Sequence, residues 1–111
     1  MDAGRLDQRI TLQEKSIARN AIGGEVVTWS DIATVWAAAL APRIAERFAA
    51  EQRQEEYEIK FRIRHRAGLT REHRVLWNGR PFEIVGTPEP VPPGRPVWLD
   101  IKAVGGVRDG R

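Results

Sequence analysis

The chain has no cysteine among its 111 residues, which excludes disulfide bonds, catalytic thiolates and cysteine-based metal sites. No apolar run approaches the roughly 20 residues of a membrane-spanning helix. Met1–Ile10 lacks the apolar core of a signal peptide. Neither sign of charge dominates, because 18 basic residues stand against 15 acidic ones, for a net charge of +3. We therefore expect one small, soluble, intracellular domain over residues 1–111.

Sequence patterns typical of enzymes are also missing. There is no glycine-rich phosphate loop, no nucleophile elbow and no HExxH motif. The two histidines, His65 and His73, flank a loop, and with Glu72 or a carboxylate from a distant part of the chain they would make a small metal site or hydrolase centre. The simpler interpretation places both in solvent at strand ends. We expect no catalytic residues, no metal and no other cofactor.

Most of the chain alternates apolar and polar side chains with period two, the pattern of β-strands. The clearest strand is Tyr57–Arg66, where four apolar residues share one face. Ile32–Leu40 is either a separate strand or the continuation of Val26–Trp29 past a bulge at Ser30-Asp31. Further strands are predicted around Arg9–Gln13 and at Val97–Val104.

A hairpin is predicted between His73 and Val85, because Asn78-Gly79 suits a type I′ turn. A two-residue loop fixes the register. It places Trp77 opposite Arg80, Val75 opposite Phe82 on a buried face, and Arg74 opposite Glu83.

Two stretches interrupt the strands. The segment 38–56 is an insertion, helical in part, since Pro42 suits a first helical turn and Ile44 and Phe48 stand four apart. Thr87–Pro96 holds five prolines, and 105–111 is a glycine-rich tail. The predicted fold is mainly β: a small antiparallel β-barrel of about six strands with one long loop or helix insertion.

Basic side chains form the sharpest local feature. One face of the central strand carries Lys60, Arg62, Arg64 and Arg66. Such a strip would suit a phosphate backbone, a solvated strand face, an edge protected by charge or acidic groups on a neighbour. No aromatic residue of that strand lies on the same face.

The four tryptophans are divided between the core and the surface. Trp36 and Trp77 are expected to fill the core. Trp98 shares its strand face with Asp100 and Lys102, and it either covers an end of the barrel or anchors an interface.

Four segments together resemble the phage head–tail joining family, also called head closure or stopper proteins. They are GRLDQRITLQ, TWSDIATVWAAA, YEIKFRIRHRAG and VLWNGRPFEIVG, in this order, over roughly Gly4 to Val104. The Pro-rich segment Thr87–Pro96 is longer than the family's usual turn. Members occur in tailed phages and gene transfer agents.

The resemblance implies a structural role in a virion or phage-like particle, reached from the host cytoplasm. Copies would form a ring that extends and gates the DNA channel and docks the tail. The implied partners are other copies, an adaptor or portal-side connector, a tail-side terminator and, transiently, packaged double-stranded DNA, with no membrane.

The resemblance implies contact roles for three groups of residues. Ring and gate contacts would come from the insertion, through Arg43, Ile44, Arg47, Phe48 and Glu51. Contacts with adjoining rings would come from Arg5, Arg9, Arg95 and Trp98. The basic strip, Lys60, Arg62, Arg64 and Arg66, would meet DNA or acidic neighbours. The alternative is a free-standing basic β-barrel that binds nucleic acid.

Overall fold

The structure is a computed structural model, and it describes residues 6–40, 46, 49–50, 52–53 and 55–106. Within these residues the chain forms seven strands. They are β1 (Gln8–Arg19), β2 (Glu25–Leu40), β3 (Tyr57–Arg64), β4 (Arg74–Trp77), β5 (Arg80–Ile84), β6 (Glu89–Val91) and β7 (Trp98–Gly105).

The strands form one antiparallel sheet whose hydrogen bonding closes into a ring. Its order is β3-β2-β1-β4-β5-β7-β6, and an additional pairing between β3 and β7 closes the ring, with β6 outside it. β6 pairs with the beginning of β7 and β5 with its end. The mainly β, antiparallel prediction is therefore confirmed. The estimate of about six strands did not include the short proline-containing β6.

The core lies inside this ring. Three residues of β3, Ile59, Phe61 and Ile63, are buried as their alternation predicted. Phe61 meets Trp77 edge to face with ring centroids 5.5 Å apart, and Phe82 at 5.9 Å. Aromatic pairs in this geometry contribute about 0.5–1.5 kcal/mol beyond their burial. The aromatic cluster thus joins β3 to the β4–β5 hairpin.

The predicted hairpin is confirmed in turn and register. Asn78 and Gly79 both have positive φ, 54° and 76°, as a type I′ turn requires. Trp77 pairs with Arg80, and Val75 pairs with Phe82. Both Val75 and Phe82 are fully buried, so the two-residue turn sets which face enters the core.

The two apolar segments 26–29 and 32–40 belong to one strand, as the bulge interpretation predicted. Leu12 pairs with Ala33 and Gln13 pairs with Asp31, which leaves Ile32 as the extra residue, so the bulge lies just after the predicted position Ser30-Asp31. β1 also runs further than expected, to Arg19, so the connecting loop shortens to 20–24. Each strand satisfies half of the other's backbone groups there, which extends the pair beyond the core.

The prediction that Trp36 fills the core is wrong. Trp36 is 51% exposed, whereas Trp77 is 5% exposed. Around Trp36 the strand is apolar on both faces. Hydrophobicity alone therefore did not show which of its two alternating sets of side chains faces the core. Pairing with β1 decides it: Ala37 is buried and Trp36 points outward.

Several predicted boundaries also move. Residues 38–40 belong to β2 rather than to the insertion, and β3 ends at Arg64, so Arg66 lies beyond the strand. Gly105 belongs to β7 rather than to the tail. It is buried, and a Cβ there would collide with the Pro81 carbonyl oxygen. Close approach of β5 to β7 requires glycine at this position.

Candidate docking surface

Two arginines and two tryptophans form a row across the outside of the sheet. On β1 and β2, Arg9 pairs with Trp36; on β3 and β7, Arg64 pairs with Trp98. The neighbouring pair Ala37–Ile63 brings Trp36 beside Arg64. The four residues therefore alternate along adjacent strands, and we call them the Arg–Trp row.

Cation–π contacts hold the two pairs. The Arg9 guanidinium lies 4.6 Å from the centroid of Trp36, and the Arg64 guanidinium lies 5.5 Å from that of Trp98. At exposed sites such contacts are worth about 0.5–1 kcal/mol. Among the described residues, no carboxylate forms an ion pair with Arg9 or Arg64. Their N–H donors remain available to a partner.

A shallow groove runs beside the row. Leu6, Val35 and Trp36 give it apolar walls, and Arg9 and Arg64 border it around a volume of about 260 Å³. Asp7 lines a second, more open depression with Trp36 and Arg64. Tryptophan and arginine are the side chains most enriched at binding hot spots. This surface can take up an apolar side chain beside a carboxylate or phosphate.

The predicted basic strip is divided by internal pairing. Arg62 donates two hydrogen bonds to Asp100, of 2.6 and 2.8 Å, and Lys60 Nζ lies 3.8 Å from Asp100 Oδ2. The hydrogen bonds from Arg62 hold the pKa of the Asp100 carboxyl below its usual value, although burial opposes this. Asp100, which had no sign of pairing in the sequence, thus pairs with Arg62 and lies near Lys60, and of the three strip residues on β3 only Arg64 has no carboxylate partner among the described residues.

A second polar cluster fixes the point where β1 and β2 leave the ring. Arg74 Nε donates to Gln13 Oε1 at 2.7 Å, and Gln13 Nε2 donates to Asp31 Oδ1 at 2.7 Å. The Arg74 guanidinium also lies 4.3 Å from the Trp29 ring centroid. The four residues come from three strands, so sequence reasoning missed the cluster.

Of the other predicted contact residues, Arg95 alone lies within the described part of the chain. Arg95 lies in the exposed loop before β7. Arg5, Arg43, Ile44, Arg47, Phe48 and Glu51 lie outside the described residues. In the described part of that insertion, Glu46, Ala49, Ala50 and Gln52 have helical backbone, and the Arg53 N–H donates to the Ala49 carbonyl.

The two histidines have different surroundings. His65 is exposed, whereas His73 Nδ1 accepts a hydrogen bond from the Thr70 N–H at 3.1 Å. In the described part of the chain, no three His, Asp or Glu side chains are grouped as metal ligands. No helix among the residues of the structure has the length and hydropathy of a membrane span.

Comparison with known proteins places this surface in context. A model of the phage head completion protein family matches residues 1–105. The chain belongs to the phage head completion protein family. No curated protein matches it. The solution structure of protein SF1141 from Shigella flexneri 2a is similar over 98% of this chain and 100% of that one, with 26% identity and a TM-score of 0.71.

A second solved structure shares the fold. A chain in the virion of a native gene transfer agent particle has 16% identity and a TM-score of 0.66, over 94% of this chain and 98% of that one. Family membership supports a structural, head-related role in a virion.

Proposed function

We propose that this head completion protein works at the head–tail junction of a phage-like particle. Several copies form a ring that extends the DNA channel, helps to retain packaged DNA and docks the tail. Its partners are an adaptor or portal-side connector on one side and a tail-side terminator on the other. The protein reaches the particle from the host cytoplasm. Membership of the family supports the virion role, and a role of this kind needs no catalytic residues.

The proposal also assigns roles to the insertion and to the basic residues. The segment around Arg43, Ile44, Arg47, Phe48 and Glu51 contacts neighbouring copies and gates the channel. Of the basic strip, Lys60 and Arg66 face passing double-stranded DNA or acidic neighbours, because Asp100 holds Arg62 and Arg64 belongs to the Arg–Trp row. Arg5 and Arg95 contact adjoining rings. These roles come from the resemblance of the chain to head closure proteins.

The Arg–Trp row is the observation that carries the docking part of the proposal. Trp36 exposes half of its surface, and exposed tryptophan beside arginine is typical of binding hot spots. Two guanidinium groups beside it lack carboxylate partners among the described residues. A partner segment with an apolar side chain next to a carboxylate would satisfy all three groups. We therefore assign the row to contact with an adjoining ring.

Particles made without the chain test the overall role, and variants of the row test the docking surface. Without the protein, particles should lose DNA or lack tails; full, tailed particles would refute the role. Supplied as Trp36→Ala with Arg64→Gln, the protein should give fewer tailed particles. Arg71→Gln, in an exposed loop, is the matched control and should restore them. Normal tailing by the double variant would remove the row from the interface.

Nucleic-acid binding is the second candidate, and one observation favours it. Arginines and aromatic rings alternate in the row, as on surfaces that stack single-stranded bases. Only two exposed cations contribute, and Asp7 lies beside them, so the expected binding is weak and strongly salt-dependent. Titration of labelled single- and double-stranded oligonucleotides at low salt decides this. Binding that Arg64→Gln weakens supports it, and absence of binding excludes it.

A further inference from the structure

The ends of β1 and β2 extend past the rest of the sheet as a two-stranded arm. β4 pairs with β1 only over Thr11–Gln13, and β3 pairs with β2 only over Ala37–Leu40. The arm comprises Glu14–Arg19, the turn 20–24 and Glu25–Ser30. All its side chains are exposed except that of Trp29, which is half-buried.

Both sides of the arm are open strand edges. In the described residues, Glu14–Arg19 and Glu25–Ser30 pair only with each other. The Asn20 N–H donates to the Gly24 carbonyl, which makes them a hydrogen-bonded pair and sets the alternation along the arm. Arg19–Glu25 and Ile17–Val27 then fall at non-hydrogen-bonded positions, so their main-chain groups point outward.

The edge of β2 lacks the usual protection against pairing. Natural edge strands carry lysine or proline, contain a bulge, or are very short; β6, at one end of the sheet order, contains Pro90. Within the arm, Glu25–Ser30 contains neither residue type, and the bulge at Ile32 lies beyond it; Val26, Val27 and Thr28 are β-branched. An isolated two-stranded hairpin is marginally stable in water. The arm also exposes 55% of Ile17 and 47% of Val27, so a further strand would stabilise it.

Charge identifies the strand that fits. The β1 side of the arm carries Lys15 and Arg19 against one acid, Glu14, whereas the β2 side carries Glu25 and no basic residue. Two β2 edges brought together would place acids against acids. A β1 edge against a β2 edge pairs opposite charges. The complementary strand is therefore present on a second copy of this chain.

We propose that the β1 edge of one arm pairs with the β2 edge of the arm on the next copy. β1 and β2 are antiparallel within one chain. When neighbouring copies have the same orientation, β1 of one copy is therefore also antiparallel to β2 of the next. Arg19 then meets Glu25 of the next copy, and Ile17 packs beside its Val27. Such head-to-tail contacts close into a ring when the rotation between copies permits. The inference rests on the proposed ring and supplies the contact between its members.

Single-cysteine variants locate the contact, since the natural chain contains no cysteine. Ile17→Cys and Val27→Cys are made separately and supplied together to particles that lack the natural chain. Mild oxidation should give a crosslinked dimer in mixed particles and none with either variant alone. Val97→Cys, at a 50% exposed residue away from the arm, replaces Val27→Cys in the control mixture and should give no dimer.

Two other variants test the edge independently of register. Val27→Pro removes an outward N–H and keeps the hydrogen bonds within the arm, so the thermal midpoint should hold while copies per particle fall at least about tenfold. Glu25→Lys and Arg19→Glu should each lower incorporation, and the two variants supplied together should restore it. Restoration requires edges of opposite charge from different copies.

The outcomes separate this inference from the proposed function. Suppose that particles contain the natural protein, that the mixture of Ile17→Cys with Val27→Cys gives no dimer, and that Val27→Pro is incorporated normally. The arms then do not join the copies, and the virion role stands. A dimer formed by Val27→Cys alone would also overturn the inference, because it requires two β2 edges together. If the natural protein is absent from particles, the proposed function fails and the inference fails with it.

Discussion

Arg62 on β3 and Asp100 on β7 face each other across the strand pair that closes the ring, joined by hydrogen bonds of 2.6 and 2.8 Å. Asp100 is 6% exposed. Such bidentate contacts between charged groups are among the stronger hydrogen bonds in proteins. They hold together two strands that are far apart in sequence. The same hydrogen bonds occupy the guanidinium of Arg62, which the sequence pattern had placed in a basic strip available to DNA or acidic neighbours.

Asp100→Asn should lower the free energy of unfolding by about 1–3 kcal/mol at neutral pH, because Arg62 loses a charged acceptor. The folded-state pKa of Asp100 lies below its unfolded value. Its stabilisation is therefore present above the unfolded pKa and is lost as pH falls through the folded one. Denaturant unfolding between pH 7 and pH 2 should show the variant and the natural protein converging in acid. Glu89→Gln, on β6 opposite Asp100, is the control and should change stability little.

Tryptophan substitutions should separate the surface from the core. Trp77→Ala removes a buried ring that contacts Phe61 and Phe82, and it should cost about 3–5 kcal/mol. Trp36→Ala removes an exposed ring with one cation–π partner, and should cost about 1 kcal/mol or less. Thermal and denaturant unfolding measure both. Equal losses would show that Trp36 has a structural role beyond the contacts described.

Gly105→Ala should destabilise the chain by at least about 1–3 kcal/mol, the usual cost of overpacking. The new Cβ would meet the Pro81 carbonyl oxygen and the Phe82 Cα, which are backbone atoms that cannot turn aside. Gly24→Ala is the control, because the atoms nearest to its Cβ would belong to the side chain of Asn20 rather than to backbone. A stable Gly105→Ala would mean that β5 can move away from β7 at little cost.

Gln13→Ala should loosen the base of the arm. Gln13 links Arg74 to Asp31 through two hydrogen bonds. Without it, both partners lose a hydrogen bond, and the free energy of unfolding should fall by about 1–3 kcal/mol. Amide hydrogen exchange should accelerate at Glu14–Arg19 and Glu25–Ser30 first. Thr11→Val, on the same face of β1, is the control and should leave arm exchange unchanged.

Local patterns were sufficient for much of the fold. Period-two alternation predicted β3 and its buried face, and Asn78-Gly79 predicted the turn and the pairing of Val75 with Phe82. These predictions succeeded because each depends on residues close in sequence. The same reasoning wrongly placed Trp36 in the core. β2 is apolar on both faces there, and its pairing with β1 determines which face is buried.

The candidate site was predicted only in parts. Arg9, Arg64 and Trp98 were each singled out, yet their convergence in one row was not. Trp36 was missed as a surface residue, and the pairing of Arg62 with Asp100 had no local signal. The contact roles assigned to Arg5, Arg95 and the insertion stay predictions.

By itself, the sequence determined that this chain makes an antiparallel β structure without disulfide bonds, and it determined the tight β4–β5 turn. Alternation and turn chemistry act over a few residues, so they can be seen in the linear order. Only the tertiary structure decided which outward side chains become neighbours. The register between β1, β2, β3 and β7 is set by closing the ring around a shared core, and that closure brings together Arg9, Trp36, Arg64 and Trp98.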